Sequence, residues 1–327
     1  MRAAWYDRVG AARDVLCLGE VNKPTLGPRE VLVRVAASGI NPSDTKKRSG
    51  WLGNPLEFDR IIPHSDGAGV IEEVGVDIDH ARRGERVWLY NAQFGRARGT
   101  AAEFVSLPTE LAIPLPDSVA FPEAACLGVP ACTAHYALLW AGPVDGKTVL
   151  VQGGAGAVGE YAIQMASLSG ARVLATVSSP EKAVIARKSG ADVVLDYRTE
   201  ADLAAAIREA SSGGVDHIVE VDFGANAALD KAVLAPRGSI GAYSSTSAPH
   251  FEFDYYGFGY KGVRIAFTQV YMLDATERKR AVTDLSRWME AGELCHRVGG
   301  IFMLAEIAAA HEALEAGDMI GNIILEV

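Results

Sequence analysis

Residues 148–159 read Thr-Val-Leu-Val-Gln-Gly-Gly-Ala-Gly-Ala-Val-Gly, an apolar strand running straight into a glycine-rich turn. Glycines at such a turn let the chain reverse sharply, let the backbone approach a pyrophosphate, and let the next helix pack close on the strand. That next stretch, Glu160–Leu168, spaces its apolar residues for one buried face. Its N-terminus offers free N–H groups and a partial positive charge to phosphates. Glycine-rich turns also serve methyltransferases and purely structural crossings. The strand–turn–helix context is what makes this one a dinucleotide site.

A second strand, Arg172–Val177, ends in Ser178-Ser179-Pro180-Glu181-Lys182. An NAD-preferring site places an Asp or Glu near this strand end, about 20 residues on, to hold the ribose 2′-hydroxyl. Here the tip carries two hydroxyls, with Lys182 one turn further along. Hydroxyls and a cation suit a 2′-phosphate, so the pattern favours NADPH. Glu181 is expected to open the next helix and point to solvent. Lys182 has the alternative of being an ordinary solvated helix residue.

At 327 residues the chain has material for about two domains. Lys and Arg number 31 against 41 Asp and Glu, a net charge of −10. An acidic chain with no basic run is a poor match for nucleic acid or an anionic membrane. No apolar signal core opens the sequence, and no apolar run reaches the roughly 18 residues of a membrane span. Cys17, Cys126, Cys132 and Cys295 are too scattered for a metal knuckle or a redox pair, which fits free thiols in a reducing compartment. A cytoplasmic protein is expected.

The texture changes along the chain. Residues 1–122 carry short alternating strands such as Glu30–Ala36, Gly67–Val74, Arg86–Tyr90 and Thr100–Leu107, punctuated by Pro and Gly, which reads as a β-rich, partly open barrel. Residues 123–265 alternate strand and helix, the repeat of a parallel sheet, with strands at Val149–Gln152, Val173–Val177, Val193–Asp196, His217–Val221 and Ser239–Tyr243. Residues 266–327 offer helices at Ala275–Ala291 and Ala305–Ala316 and a closing strand, Asn322–Val327. That strand has no nearby partner in sequence, so it is expected to return to the first domain.

Several ordered motifs span nearly the whole chain. They are Met1-Arg2-Ala3, Ser38-Gly39-Ile40-Asn41-Pro42-Ser43-Asp44, Arg48-Ser49-Gly50, Pro63-His64-Ser65-Asp66-Gly67-Ala68-Gly69-Val70, Gly128-Val129-Pro130-Ala131-Cys132-Thr133-Ala134, the glycine loop, and Asp196-Tyr197-Arg198. In these the chain resembles the zinc-free branch of the medium-chain dehydrogenase/reductases, the quinone oxidoreductases that include zeta-crystallin. The resemblance implies an α/β protein with a GroES-like catalytic domain (1–122 and 266–327) and a doubly wound Rossmann domain (123–265). It also implies a homodimer through a Rossmann edge strand. Zinc alcohol dehydrogenases are similar too, but where they carry Cys, His and Cys on the metal, this chain has Asn41, Ser65 and Val129. None is a zinc donor, and no metal is expected.

Without metal or flavin, the chemistry implied is direct hydride transfer from the nicotinamide to a reactive acceptor. A quinone is the leading acceptor. The alternative is an α,β-unsaturated carbonyl or enoyl thioester, and a third reading is a non-catalytic crystallin-like or RNA-binding role. A well-placed donor to the developing oxyanion is worth roughly 3 kcal/mol. The candidates are the Asn41 amide and the Ser65 hydroxyl, with Lys46 as a nearby cation. The family's pocket tyrosines fall at Lys46 and Leu52 here, with Trp51 in the same segment as a replacement stacking face.

On the cofactor side, the resemblance carries Gly156, Ala157 and Val158 to the diphosphate and Ser178, Ser179, Lys182 and Tyr197 to the ribose phosphate. Thr133 falls by the diphosphate or nicotinamide ribose. Asn41, Tyr243, Ser244, Phe267, Val270 and Asn322 fall on the nicotinamide side. Asp222 also ends a strand on the cofactor side, and a helix-capping role is the equal alternative. The aromatic run Phe251–Tyr260 reads as packing at a domain or subunit contact before it reads as a substrate wall.

Overall fold

Met1-Arg2-Ala3 opens a strand, as expected: in the computed structural model, which describes residues 1–327, β1 (Arg2–Trp5) pairs antiparallel with β2 (Cys17–Glu20). β3 (Glu30–Ile40) is the longest strand at 11 residues, and it is buried along most of its length, with Arg34 exposed. It pairs along one edge with β4 (Asp66–Val74), which continues to β5 (Arg86–Leu89). Its other edge is first taken by β6 (Phe104–Pro108). β7 (Ala112–Pro114) closes the far side of β5. The segment expected as a strand from Thr100 joins the β3 ladder only from Phe104, because residues 101–103 spend backbone groups on β1, with Ala102 bridging Ala3.

The middle of the chain builds a second sheet, from β8 (Thr148–Val151), β9 (Arg172–Val177), β10 (Val193–Asp196), β11 (Val215–Glu220), β12 (Leu234–Ala242) and β13 (Arg264–Phe267). All its pairings are parallel, in the order β10-β9-β8-β11-β12-β13. Relabelled from β8, this is the 3-2-1-4-5-6 order of a Rossmann sheet, and its topological switch lies between β8 and β11. Val149, Leu150 and Val151 are all fully buried, as a strand covered on both faces requires. The chain then returns: β14 (Val298–Met303) and β15 (Asn322–Glu326) pair in parallel, and β15 takes the second half of β3's free edge. The expected return of the closing strand is what the structure shows.

Two compact units result, Met1–Pro130 with Val282–Val327, and Ala131–Ala281. The expected boundaries at 122/123 and 265/266 need correction. Change of element type precedes change of packing partner. Residues past 122 still belong to the first unit: a Cβ on Gly39 would lie 2.1 Å from Ala125 O, and Val129 N–H bonds Asp66. At the other end β13 is the sixth strand of the parallel sheet, and the second unit runs on through Ala281. No helix is long and apolar enough to cross a membrane.

Candidate active site

In the first unit, the turn after β3 and the start of β4 come together around Asn41. Its backbone N–H donates to Asp44 Oδ2 at 2.8 Å, holding the N-terminus of helix Pro42–Ser49. Its side-chain amide donates to Asp66 Oδ2 at 2.7 Å. Asp66 also accepts the Val129 N–H, at 2.9 and 2.8 Å to its two oxygens. A Cβ on Gly128 would lie 2.0 Å from Asp66 Oδ1, so that glycine is what lets the chain approach. Burial raises the Asp66 carboxyl well above its usual range, against the hydrogen bonds from Asn41 and Val129 that favour the charged form. Burial likewise pushes Asp44 up to about 6.

Asn41 is therefore a bridge: one amide hydrogen is committed to Asp66 and the residue is only 3% exposed. Ser65 beside it is fully buried, and its hydroxyl has no protein partner. Lys46 and Trp51 are half-buried, with Lys46 Nζ 4.5 Å from the centre of the Trp51 ring. Next to them Lys47 donates to Gln93 Oε1 at 2.7 Å. The zinc positions Asn41, Ser65 and Val129 offer no thiolate, imidazole or carboxylate, and no cluster of three or more His, Cys, Asp or Glu gathers here or elsewhere. The residues present do not fit a catalytic zinc.

A buried chain of side chains underlies this turn, and the sequence reading missed it. Thr100 Oγ1 lies 2.5 Å from the Asp66 carbonyl, which can only accept, so Thr100 donates there. Ser38 Oγ, 2.8 Å away, must then donate to Thr100 and accept from His64 Nδ1 at 2.8 Å. A neutral His64 is left with a bare Nε2, so the 2.8 Å contact to His311 Nε2 is a donation from His311. Burial holds His64 well below the usual imidazole range and His311 down to about 3, so both are neutral. His64 sits in the left-handed region, φ 77°, which costs a bulky residue about 1–2 kcal/mol. Hydrogen bonds at both ring nitrogens hold it there. The chain of donors ends on a carbonyl, so it braces the His64–Asp66 turn and cannot deliver a proton to it.

In the second unit the glycine loop has the geometry a pyrophosphate needs. Gly153 takes φ 69°, and a Cβ on Gly159 would lie 2.2 Å from Gly153 O, so loop and helix touch backbone to backbone. Gly156 is exposed and caps helix Ala157–Leu168 with no side-chain oxygen over the first turn. The N–H groups of Ala157 and Val158 thus open that helix uncapped, the arrangement that receives an anion.

At the tip of β9, Lys182 Nζ donates to Ser178 Oγ at 3.1 Å and Ser179 Oγ caps Lys182 N–H at 3.3 Å. Tyr197, 48% exposed, joins this tip through its N–H to Val177 O at 3.0 Å. Glu181 is exposed, as expected, but it does not simply face solvent. A hydrogen bond with Ser179 is the first cause holding its carboxyl below the usual range.

Other expected residues scatter. Tyr243 and Ser244 follow β12, and burial, then the Glu220 carboxyl, raise the Tyr243 phenol. Thr133 and Val270 are buried, and Phe267 is 72% exposed. Asn322, in the first unit, spends its amide on Arg297 O at 3.1 Å. Asp222 stands at the N-cap position but does not cap with its side chain: its carboxylate accepts Ser247 N–H at 3.1 Å, and Ser245 Oγ takes Gly224 N–H instead. Phe251, Phe253 and Phe258 pack on Phe223 within the second unit, while Tyr255, Tyr256 and Tyr260 stay exposed.

These features define a two-unit α/β protein, GroES-like in one part and Rossmann in the other. The family model described as alcohol dehydrogenase GroES-like domain matches residues 27–117, and that of zinc-binding dehydrogenase matches 157–288. A quinone oxidoreductase of Pseudomonas aeruginosa is 33% identical over 309 residues, covering 91% of each chain. A mycobacterial protein solved in complex with NADPH superposes with TM-score 0.88 at 31% identity, covering all of both chains. A 2-haloacrylate reductase superposes with TM-score 0.85 at 29% identity, covering 100% of this chain and 99% of that one. The chain belongs to the quinone oxidoreductase family of the medium-chain dehydrogenase/reductases.

Proposed function

We propose that this protein is an NADPH-dependent oxidoreductase that reduces a quinone by direct hydride transfer. The observation that carries the reading is the β9 tip, where Lys182 and Ser178 meet at 3.1 Å beside the uncapped glycine loop. Bound NADPH would supply the hydride. The protein would supply position: Gly156, Ala157 and Val158 for the diphosphate, Ser178, Ser179, Lys182 and Tyr197 for the ribose phosphate, and Tyr243 and Ser244 toward the nicotinamide. Thr133 is proposed by the diphosphate or nicotinamide ribose, and Phe267, Val270 and Asn322 are weaker candidates for the nicotinamide carboxamide, since Val270 is buried and Asn322 already donates to Arg297 O.

On the acceptor side, burial separates the roles. Lys46 and Trp51 are half-exposed and can meet a small molecule directly. Asn41 keeps one amide hydrogen and Ser65 one hydroxyl for a developing oxyanion. A second reading, reduction of an alkene conjugated to a carbonyl, draws support from Lys46 over Trp51: a cation on an aromatic face suits a flat acceptor bearing a carboxylate or thioester. A homodimer through the free edge of β13 is part of the proposal, supported by exposed Phe267 and the tyrosines of Tyr255–Tyr260.

The test is loss of reduced-nicotinamide absorbance with NADPH and NADH in parallel, against a panel of quinones and 2-enoyl compounds. Quinone turnover with NADPH supports the first reading, and turnover confined to conjugated alkenes replaces it with the second. A preference for NADH rejects the assignment of the β9 tip.

A further inference from the structure

Two fully buried carboxyls lie at the switch point of the parallel sheet, where ligands of such sheets bind. Glu220 ends β11, and Asp230 sits on helix Phe223–Val233. Glu220 Oε1 accepts the Asn226 amide at 2.9 Å and the Asp222 N–H. Asp230 Oδ1 accepts Gln152 Nε2–H at 2.6 Å, and Gln152 is the residue immediately before the glycine loop. The remaining oxygens, Glu220 Oε2 and Asp230 Oδ2, receive no hydrogen from any surrounding N–H or O–H. Asn226 and Asp230 are four apart on one face of that helix, so the Asp230 carboxyl lies beside the one Asn226 holds, and two neighbouring buried carboxyls with an undonated oxygen each can satisfy them only with a proton of their own.

We propose that Glu220 and Asp230 share a proton and act as positioning residues for the dinucleotide. The protonated pair holds Gln152 and Asp222 at the carboxyl ends of β8 and β11 while keeping surplus negative charge away from the diphosphate site. This rests on the reading that the second unit binds an anionic nicotinamide dinucleotide. The groups that face the pair are Gln152 from β8, Asp222 and Asn226 from the loop and helix after β11, and Tyr243 from β12. They are neutral or anionic, so none offsets a second charge. Burial pushes both carboxyls up, Glu220 to about 7, which favours a proton on the pair. Raising the pH removes that proton to solvent, adds a negative charge beside the loop, and opposes an anionic ligand.

The experiment is a fluorescence titration of the full chain with NADPH from about pH 7 to about pH 9.5, a range in which the 2′-phosphate, with its second pKa of about 6, is already ionised. We expect the dissociation constant to rise about tenfold over this range in the wild type. In Glu220→Gln the rise should flatten, because the introduced amide still donates to Asp230 but does not titrate. A slope as steep in Glu220→Gln as in the wild type overturns the proposal. Infrared difference spectra of the wild type and Glu220→Gln without ligand provide a second readout, one that separates the pair from the buried Asp66 carboxyl. A protonated carboxyl C=O band that fades as the pH rises and is changed in Glu220→Gln is expected, and a band identical in both proteins overturns the shared proton. If the chain binds NADH and not NADPH, the NADPH reading fails alone, since the diphosphate is common to both and the same slope is expected. A flat wild-type profile with either dinucleotide overturns the proposal.

Discussion

Replacing Lys182 by Ala is expected to weaken NADPH and leave NADH almost untouched. Lys182 is half-buried at the first turn of helix Pro180–Lys188, with its ammonium 3.1 Å from the Ser178 hydroxyl. A phosphate at that tip would receive a charge-assisted hydrogen bond, worth about 1.5–3 kcal/mol. That corresponds to a loss of about 10- to 150-fold in NADPH affinity, the lower end being favoured because solvent reaches the side chain. Glu181 sharpens the comparison. Its carboxylate is exposed and bonded to Ser179, so it opposes a 2′-phosphate weakly. Glu181→Gln should tighten NADPH by only about two- to fivefold, as a screened surface charge allows. The assay is fluorescence titration of each variant with NADPH and NADH at fixed ionic strength. If Lys182→Ala weakened both dinucleotides equally, Lys182 would be supporting the fold of the tip, and the assignment of the 2′-phosphate to it would be refuted.

Lys46→Ala should cost carboxylated enoyl acceptors about tenfold in kcat/KM while changing neutral quinones by less than about threefold, the difference one desolvated cation contributes; equal losses across the panel would count against the second reading. Asp66→Ala should strand the Asn41 amide and the Val129 N–H, lowering stability by about 2–4 kcal/mol in denaturant unfolding. His311→Leu should leave His64 Nε2 unpaired and cost about 1–3 kcal/mol at neutral pH. That gap should shrink on acidification. His311 is held down to about 3 in the fold against about 6.5 unfolded, so its contribution is present above about 6.5 and is lost as pH falls, by about 1.4 kcal/mol per unit. A gap that stays constant down to about pH 5 would contradict a neutral His311.

What the sequence determined by itself is local. The glycine loop between Val151 and Ala157 needs only its own residues to turn, and the strand and helix beside it follow from apolar spacing within a dozen positions. The hydroxyl–lysine tip after β9 was legible for the same reason, since Ser178 just before the helix and Lys182 in its first turn are only four residues apart. Tertiary structure decided whatever joins distant segments. Pairing of β15 with β3 was expected only because β15 lacked a nearer partner, and the edge it takes was fixed by β6 occupying the other half. The domain boundary moved because strands and helices are set by neighbours in sequence, whereas a unit is set by what packs against what.

The buried polar networks were the least legible part. His64 meets His311 across 247 residues, and Gln152 meets Asp230 across 78. Their one trace in the sequence is a polar residue inside an apolar run: Ser38 in β3, Glu220 closing β11, Asp230 on the inner face of its helix. Such a residue must find a partner once the run is buried, because an unpaired polar group in the interior costs about 1–3 kcal/mol. Which partner it finds depends on the folded arrangement, which is why Asn41 read as a donor to substrate when taken alone, and in the fold first holds Asp66.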